Sequence, residues 1–179
     1  MRPEIDVGPA EVRLVPDASY GIELKRLIRQ SSERIWCSLF IVDTSPEPGP
    51  APPLHVFEAL RDLAIARWRG IDARLLLGAS TSNRDIAEIS LAAMTVARRL
   101  GIPTRGLGSI GLRGSHAKLV VADDWVLTGS HNWSSGAFAD QIQDSVAVRS
   151  EHLAAYMANV FLEQWRRART APRSSGVAS

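Results

Sequence analysis

Residues 116–138 read His-Ala-Lys-Leu-Val-Val-Ala-Asp-Asp-Trp-Val-Leu-Thr-Gly-Ser-His-Asn-Trp-Ser-Ser-Gly-Ala-Phe. His116 and Lys118 open an apolar run of β type, Asp123 closes it, and a second apolar run ends in Gly129-Ser130-His131-Asn132. On a strand, side chains i and i+2 share a face, so His116 and Lys118 project together while Ala117 and Leu119 turn to the core. Ser130 and Asn132 alternate in the same way. An imidazole, an ammonium, a hydroxyl and an amide at one spot form a set able to act on a phosphodiester without metal. The two runs, 116–122 and 125–128, fold as a hairpin around Asp123-Asp124.

Outward from that hairpin the chain alternates strands and helices. Glu11 to Pro16 is a strand, followed by a helix over Tyr20 to Gln30, with Asp17 or Ser19 as its cap and Ile22, Leu24, Leu27 and Ile28 as its stripe. Ile35 to Val42 reads as a buried strand, with Cys37 as an inert thiol inside it. Thr44 to Pro53 is a proline-rich loop. Leu54 to Arg69 repeats Val56, Phe57, Leu60, Leu63 and Ala64 at helical spacing. Ile71 to Leu77 is the next strand, and Ser82 or Asn83 caps a helix that Gly101 closes. Ile102 to Leu107 and Ser145 to Arg149 are further strands, and Glu151 to Arg169 is the last helix. The pattern predicts an α/β fold, a mixed β-sheet between helices on both faces. Residues 1–170 read as one catalytic domain and 171–179 as a disordered tail.

The bulk properties narrow the classes. The 179 residues are 45% hydrophobic and 22% charged, which is ordinary for a soluble globular chain. A net charge of +2 and a pI near 9.1 suit an anionic partner without requiring one. No secretory signal or membrane span is visible, so a cytoplasmic location is expected. No C-x-x-C, H-E-x-x-H or carboxylate cluster stands at metal spacing, so neither metal nor cofactor is expected. Gly106-Leu-Gly-Ser-Ile-Gly111 spells a dinucleotide fingerprint, but a strand follows it rather than a helix N-terminus.

The composite motif resembles the phospholipase D superfamily, whose signature is H-x-K-x4-D followed by G-S-x-N. His116, Lys118 and Asp123 match its first part, and Gly129, Ser130 and Asn132 its second. The likeness runs from about Glu33 to Trp165, and it is greatest to the small single-motif bacterial nucleases. It implies His116 as the nucleophile, forming a phosphohistidine, with Lys118, Asn132 and Ser130 holding the phosphoryl oxygens. Asp123 either joins the chemistry or fixes the hairpin. Arg113, with Arg84 and Arg105, is placed to follow a phosphate backbone, and Trp133 is either a cleft wall or core. His131, one residue off the Ser130/Asn132 face, points away from the site.

The motif occurs once, so no second acid is at hand for the leaving alkoxide. Two copies in a C2 homodimer sharing one site supply it. One departure stands out. Family members carry an Asn-x-Glu element whose glutamate orients the histidine, and here Gln141-Ile142-Gln143-Asp144 takes its place. Gln143 or Asp144 is the candidate orienting residue. Three functions follow: a nuclease with nucleic acid as partner (DNA before RNA) and no membrane; a phosphatidyl hydrolase of the same superfamily; and a non-catalytic nucleic-acid-binding member.

Overall fold

The computed structural model describes residue 4 and residues 6–45, 55–78, 83–107 and 115–168. Arg113, most of the 44–53 loop, the 108–114 link and the tail from Thr170 lie outside these residues. The elements are β1 (Glu11–Pro16), α1 (Ser19–Gln30), β2 (Arg34–Leu39), α2 (His55–Trp68), β3 (Asp72–Gly78), α3 (Arg84–Arg99), β4 (Thr104–Leu107), β5 (Lys118–Ala122), β6 (Trp125–Gly129), α4 (Ser135–Ala139), β7 (Asp144–Arg149) and α5 (Glu151–Arg167).

They build one seven-stranded mixed sheet in the order β1-β7-β6-β5-β2-β3-β4. β2, β3 and β4 run parallel, joined by helical crossovers, and the remaining neighbours pair antiparallel. The predicted hairpin is present as β5 and β6, with Asp123 turning the chain at φ 51°.

The central strands are buried on both faces, which is why their sequences are nearly continuous apolar runs. Ile35, Cys37 and Leu39 of β2, with Val120 and Ala122 of β5, pack with α1, α2, α3 and α4 in the larger cluster. Trp36, Leu119 and Val121 face the other way, with Phe161 and Trp165 of α5. Lys118 shares its face with Val120, so the expectation of one core face on β5 becomes two, with the polar pair at the strand end.

The helices show where a stripe read from sequence overreaches. In α1 the buried residues are Tyr20, Leu24, Leu27 and Ile28, whereas Ile22 is exposed. Ile22 lies about 200° around the helix from Leu24, on the solvent side. Phe57 is likewise exposed, while Ala59 and Ala66 complete the α2 stripe. Neither expected residue caps α1. Its N-cap is Ala18, without a side-chain bond, because the Asp17 carboxylate accepts Gln143 N–H at 2.9 Å and the Ser19 hydroxyl donates to Pro16 O. Asn83 caps α3 by accepting Ile86 N–H at 3.2 Å, and Ser150 caps α5 by accepting Leu153 N–H at 3.2 Å. Gly101 follows α3 at φ 78°, where a side chain would be strained. Helix α4 is too short to announce itself by periodicity. Among the described residues no helix is long and apolar enough to cross a membrane.

Candidate active site

Parallel strands β2 and β3 end side by side, and β5 begins between their ends and β6. In open α/β sheets, ligand sites form outside the carboxyl ends of such strands. Here that edge is close-packed. A Cβ on Gly78 would stand 3.2 Å from Phe40 Cδ2, from Phe40 O and from Ser115 O, so a side chain on the last residue of β3 would fit only if these neighbours gave way. His116 and Lys118 rise immediately beyond it.

Lys118 Nζ lies 3.2 Å from His116 Nδ1 and 3.4 Å from Nε2, with His116 O at 3.3 Å. Near-equal approach to both ring nitrogens puts the ammonium over the face of the imidazole. An in-plane approach at these distances would drive Nζ into Cε1. Beneath the pair is Phe40, its ring centroid 4.4 Å from that of His116 and 5.2 Å from Lys118 Nζ. Burial lowers the lysine's pKa from its ordinary value. The imidazole itself is exposed.

The Gly-Ser-x-Asn segment lies at the same end of the sheet, because β6 runs antiparallel to β5 with Leu119 opposite Thr128. Gly129 is required by contact. A Cβ there would overlap Asp144 O and Ser145 Oγ and stand 2.5 Å from Ser145 Cα. Ser130 clasps β6 to β7. Its N–H donates to Asp144 O at 2.9 Å, its Oγ accepts Asp144 N–H at 3.0 Å, and its one hydroxyl proton is directed at Gln143 Oε1.

Asn132 is half-buried, and its Oδ1 is buried with no hydrogen-bond partner among the described residues. Buried polar atoms are normally paired. Turning the amide over would place its NH2 group at that enclosed spot instead.

Flanking residues hold Asn132 in place. His131 is buried, stacked on Tyr20 with centroids 4.3 Å apart, with Nδ1 2.8 Å from Ser145 Oγ and Nε2 3.1 Å from Asp17 O. Burial lowers its pKa. It does face away from the site, but into the core rather than outward. Trp133 is fully buried, and its indole N–H donates to Tyr20 Oη at 3.2 Å. Its main chain bonds Ile41 O at 3.0 Å and Asp43 N–H at 2.7 Å. The cleft-wall reading of Trp133 gives way to core, because no face of its ring reaches solvent.

A family model described as cardiolipin synthase, PLD-like domain, matches residues 24–165. The chain belongs to the phospholipase D-like family. Among solved structures, Nuc of Salmonella typhimurium, a phospholipase D family member, is 20% identical with TM-score 0.70, covering 90% of this chain and 97% of Nuc. NucT of Helicobacter pylori is 15% identical with TM-score 0.64, over 89% of this chain and 98% of that one. Phosphatidylserine synthase of Haemophilus influenzae is 15% identical with TM-score 0.67, over 89% of this chain but 37% of its own. No curated protein matches.

In this phospholipase D-like chain the motif's acid stands apart from its base. Asp123 lies at the far end of β5 from His116. Its carboxylate accepts Ser32 N–H at 2.7 Å, Arg34 N–H at 2.9 Å and Glu33 N–H at 3.1 Å, and the Ser32 hydroxyl at 3.1 Å. Burial pushes this carboxyl's pKa up, but the donors of Arg34, Ser32 and Glu33 outweigh it and leave the pKa below the usual aspartate value. Of the two expectations for Asp123, fixing the hairpin is the one this geometry supplies.

Gln143 engages Ser130 through Oε1 and donates to Gln141 Oε1 at 2.8 Å. Among the described residues its side chain does not bond to His116, and Asp144 meets Ser130 through its main chain. Arg84 pairs with Glu88 at 2.8 Å. Arg105 donates to Trp165 O at 2.7 Å on the α5 side of the sheet. A cleft of about 890 Å³ opens at the opposite end of the hairpin, lined by Arg13, Arg26, Asp124, Trp125 and Arg149 among others. Its charges are matched internally, with Arg149 on Asp124 at 2.6 Å and Arg13 on Glu11 at 2.6 Å. Among the described residues no group of three or more His, Cys, Asp or Glu is placed to hold a metal ion.

Sequence reasoning missed Phe40 and the Tyr20–His131–Asp17 anchor. The first carried a weak signal, an aromatic ending a buried strand. The second carried none, because its partners lie 114 positions apart.

Proposed function

We propose that this chain is a metal-independent phosphodiesterase, and specifically a nuclease, acting through a phosphohistidine in a site that two copies complete. The observation that carries this reading is the ammonium of Lys118 poised over the exposed His116 imidazole at 3.2 Å, at the end of the sheet that also carries the Gly-Ser-x-Asn segment. In the first step a His116 ring nitrogen attacks phosphorus, the P–N bond forms and the P–O bond to the leaving group breaks. Lys118 and Asn132 stabilise the charge building on the non-bridging oxygens. The leaving alkoxide takes a proton from the second copy's imidazole. That imidazole then removes a proton from water, whose oxygen displaces His116 from phosphorus. Ser130 serves this site as the clasp that fixes Asn132, because its proton is already directed at Gln143.

Two features support the shared site. The likeness spans nearly the whole of Nuc and NucT, 97% and 98%, but 37% of the synthase, which fits a short chain with one motif per copy. An exposed apolar strip also lies on the edge strand β1. Val12 and Leu14 of β1 are 60% and 83% exposed and pair with Val148 and Val146 of β7. That face lies opposite buried Ala147, beyond the strands on which α5 packs. Covering a side chain such as Leu14 in a second copy would contribute about 1.5–3 kcal/mol. Residues 1–170 then form one catalytic domain, with nucleic acid as its partner and DNA as the first substrate to try.

Plasmid nicking in EDTA, with His116→Ala as control, tests the chemistry. Cleavage should persist with chelator and vanish in the variant. Complete loss in EDTA, restored by Mg²⁺, would overturn the metal-free assignment. Heterodimers of wild-type and His116→Ala chains should lose turnover, and full turnover per wild-type chain would refute the shared site. The engagement of Gln143 away from His116 favours a second reading, a nucleic-acid-binding member without turnover. DNA retention with no nicking would select it.

A further inference from the structure

The His116 imidazole stands on an exposed strand end, where two side-chain torsions are free unless something packs against the ring. Direction matters, because a nucleophilic nitrogen must lie in line with the bond it breaks. In the family pattern a carboxylate hydrogen bond sets that direction. Here Gln143 bonds to Ser130 and Gln141 instead, and Asp123 is committed at the other end of β5.

What touches the ring from below is Phe40, with centroids 4.4 Å apart and planes at 45°. The same ring lies 5.2 Å beneath the Lys118 ammonium, within the range where a cation is drawn to an aromatic face. Phe40 is itself braced. Its Cδ2 and its carbonyl oxygen each lie 3.2 Å from where a Gly78 Cβ would be, so the bare backbone of β3 backs the ring.

We propose that Phe40 is the positioning residue of the His116–Lys118 pair, a fixed aromatic floor that sets the direction of the imidazole and the height of the ammonium above it. The inference rests on reading His116 and Lys118 as the reacting pair. Phe40 moves no proton and forms no bond to a reacting atom. It replaces the orienting part of a carboxylate's work by packing, and leaves out the charge. Gly78 belongs to the device, because a side chain there would stand 3.2 Å from Phe40 and require the floor to shift.

Phe40→Ala, Phe40→Leu and Phe40→Tyr test it, with two independent readouts. The first is NMR of the His116 ring C–H groups in the full-length protein, assigned by His116→Ala. Signals displaced by the Phe40 ring current should move in the Ala and Leu variants and hold in the Tyr variant. The second is turnover of bis(p-nitrophenyl) phosphate. In Phe40→Ala kcat should fall about 10- to 100-fold, while KM changes less than about threefold. Phe40→Tyr should restore most of kcat.

An unchanged kcat in Phe40→Ala, with the ring signals moved, would overturn the positioning role and leave the reacting pair intact. Unmoved ring signals would overturn the packing itself. If the wild-type chain turns over no phosphodiester, the functional reading fails and the NMR arm alone decides whether Phe40 holds the ring. Phe40→Leu keeps apolar volume without an aromatic face, so it carries the same test should Phe40→Ala fail to fold.

Discussion

The two ends of the β5–β6 hairpin are built on opposite principles. At the turn end the carboxylates are held by dense bonding, although Arg34 Nε is buried without a partner among the described residues. Asp123 accepts from Ser32, Glu33 and Arg34, and Arg149 holds Asp124 at 2.6 Å. At the open end the polar groups are underused. His116 is exposed, Lys118 is held below its ordinary pKa by burial, and Asn132 Oδ1 has no partner among the described residues. The turn end is tied by carboxylate-to-backbone bonds, whereas the imidazole at the open end is exposed and accessible to a ligand. Residues 116, 118 and 123 stand as a single motif in the sequence, yet they divide between these two tasks.

Substitutions at the two ends should therefore fail differently. Lys118→Ala should lower phosphodiester turnover about 10²- to 10³-fold with thermal stability little changed. Asp123→Ala should leave the specific activity of the folded fraction close to wild type. A collapse of kcat in folded Asp123→Ala protein would break the division.

Gly129→Ala drives a methyl into the backbone of Asp144 and Ser145. It should destabilise by about 3 kcal/mol, read by chemical denaturation. Asp123→Ala should lose about 1–3 kcal/mol, because its backbone donors lose their acceptor. Folding lowers the pKa of this carboxyl, so its contribution is complete above the ordinary aspartate range and is lost as pH falls through the lowered value. Stability measured against pH should show that loss in acid, and Asp123→Asn should remove it.

The smallest effect concerns Lys118. Its lowered pKa places the alkaline limb of the kcat/KM profile, which reports the free protein, below the range of a free lysine. Any activity retained by Lys118→Arg should lack that limb, since a guanidinium stays charged.

Much of the fold was legible because strand burial is written plainly in runs such as Arg34–Leu39 and Asp72–Gly78. Hydrophobic periodicity and the glycine stops placed the long helices. What failed was finer. Ile22 and Phe57 looked like core from composition, but helix phase put them in solvent. Trp133 sat beside a site residue in sequence and pointed away from it in space, because neighbours on an extended chain face opposite sides. The His116–Lys118 pair was legible from its i, i+2 spacing. The floor under it was not, because Phe40 arrives from a strand whose pairing with β5, Leu39 opposite Lys118, only the folded sheet defines. The role of Asp123 was equally hidden, since its partners lie about 90 positions earlier.

The sheet order places β7 between β1 and β6, so β1 has no strand neighbour until β7 arrives. Pairing of Glu11 with Arg149 spans most of the chain, and contacts of such separation form slowly. The Ser130–Asp144 clasp waits on the same event. The histidine and lysine therefore stand with an incomplete rim until β7 is made and docked between β1 and β6.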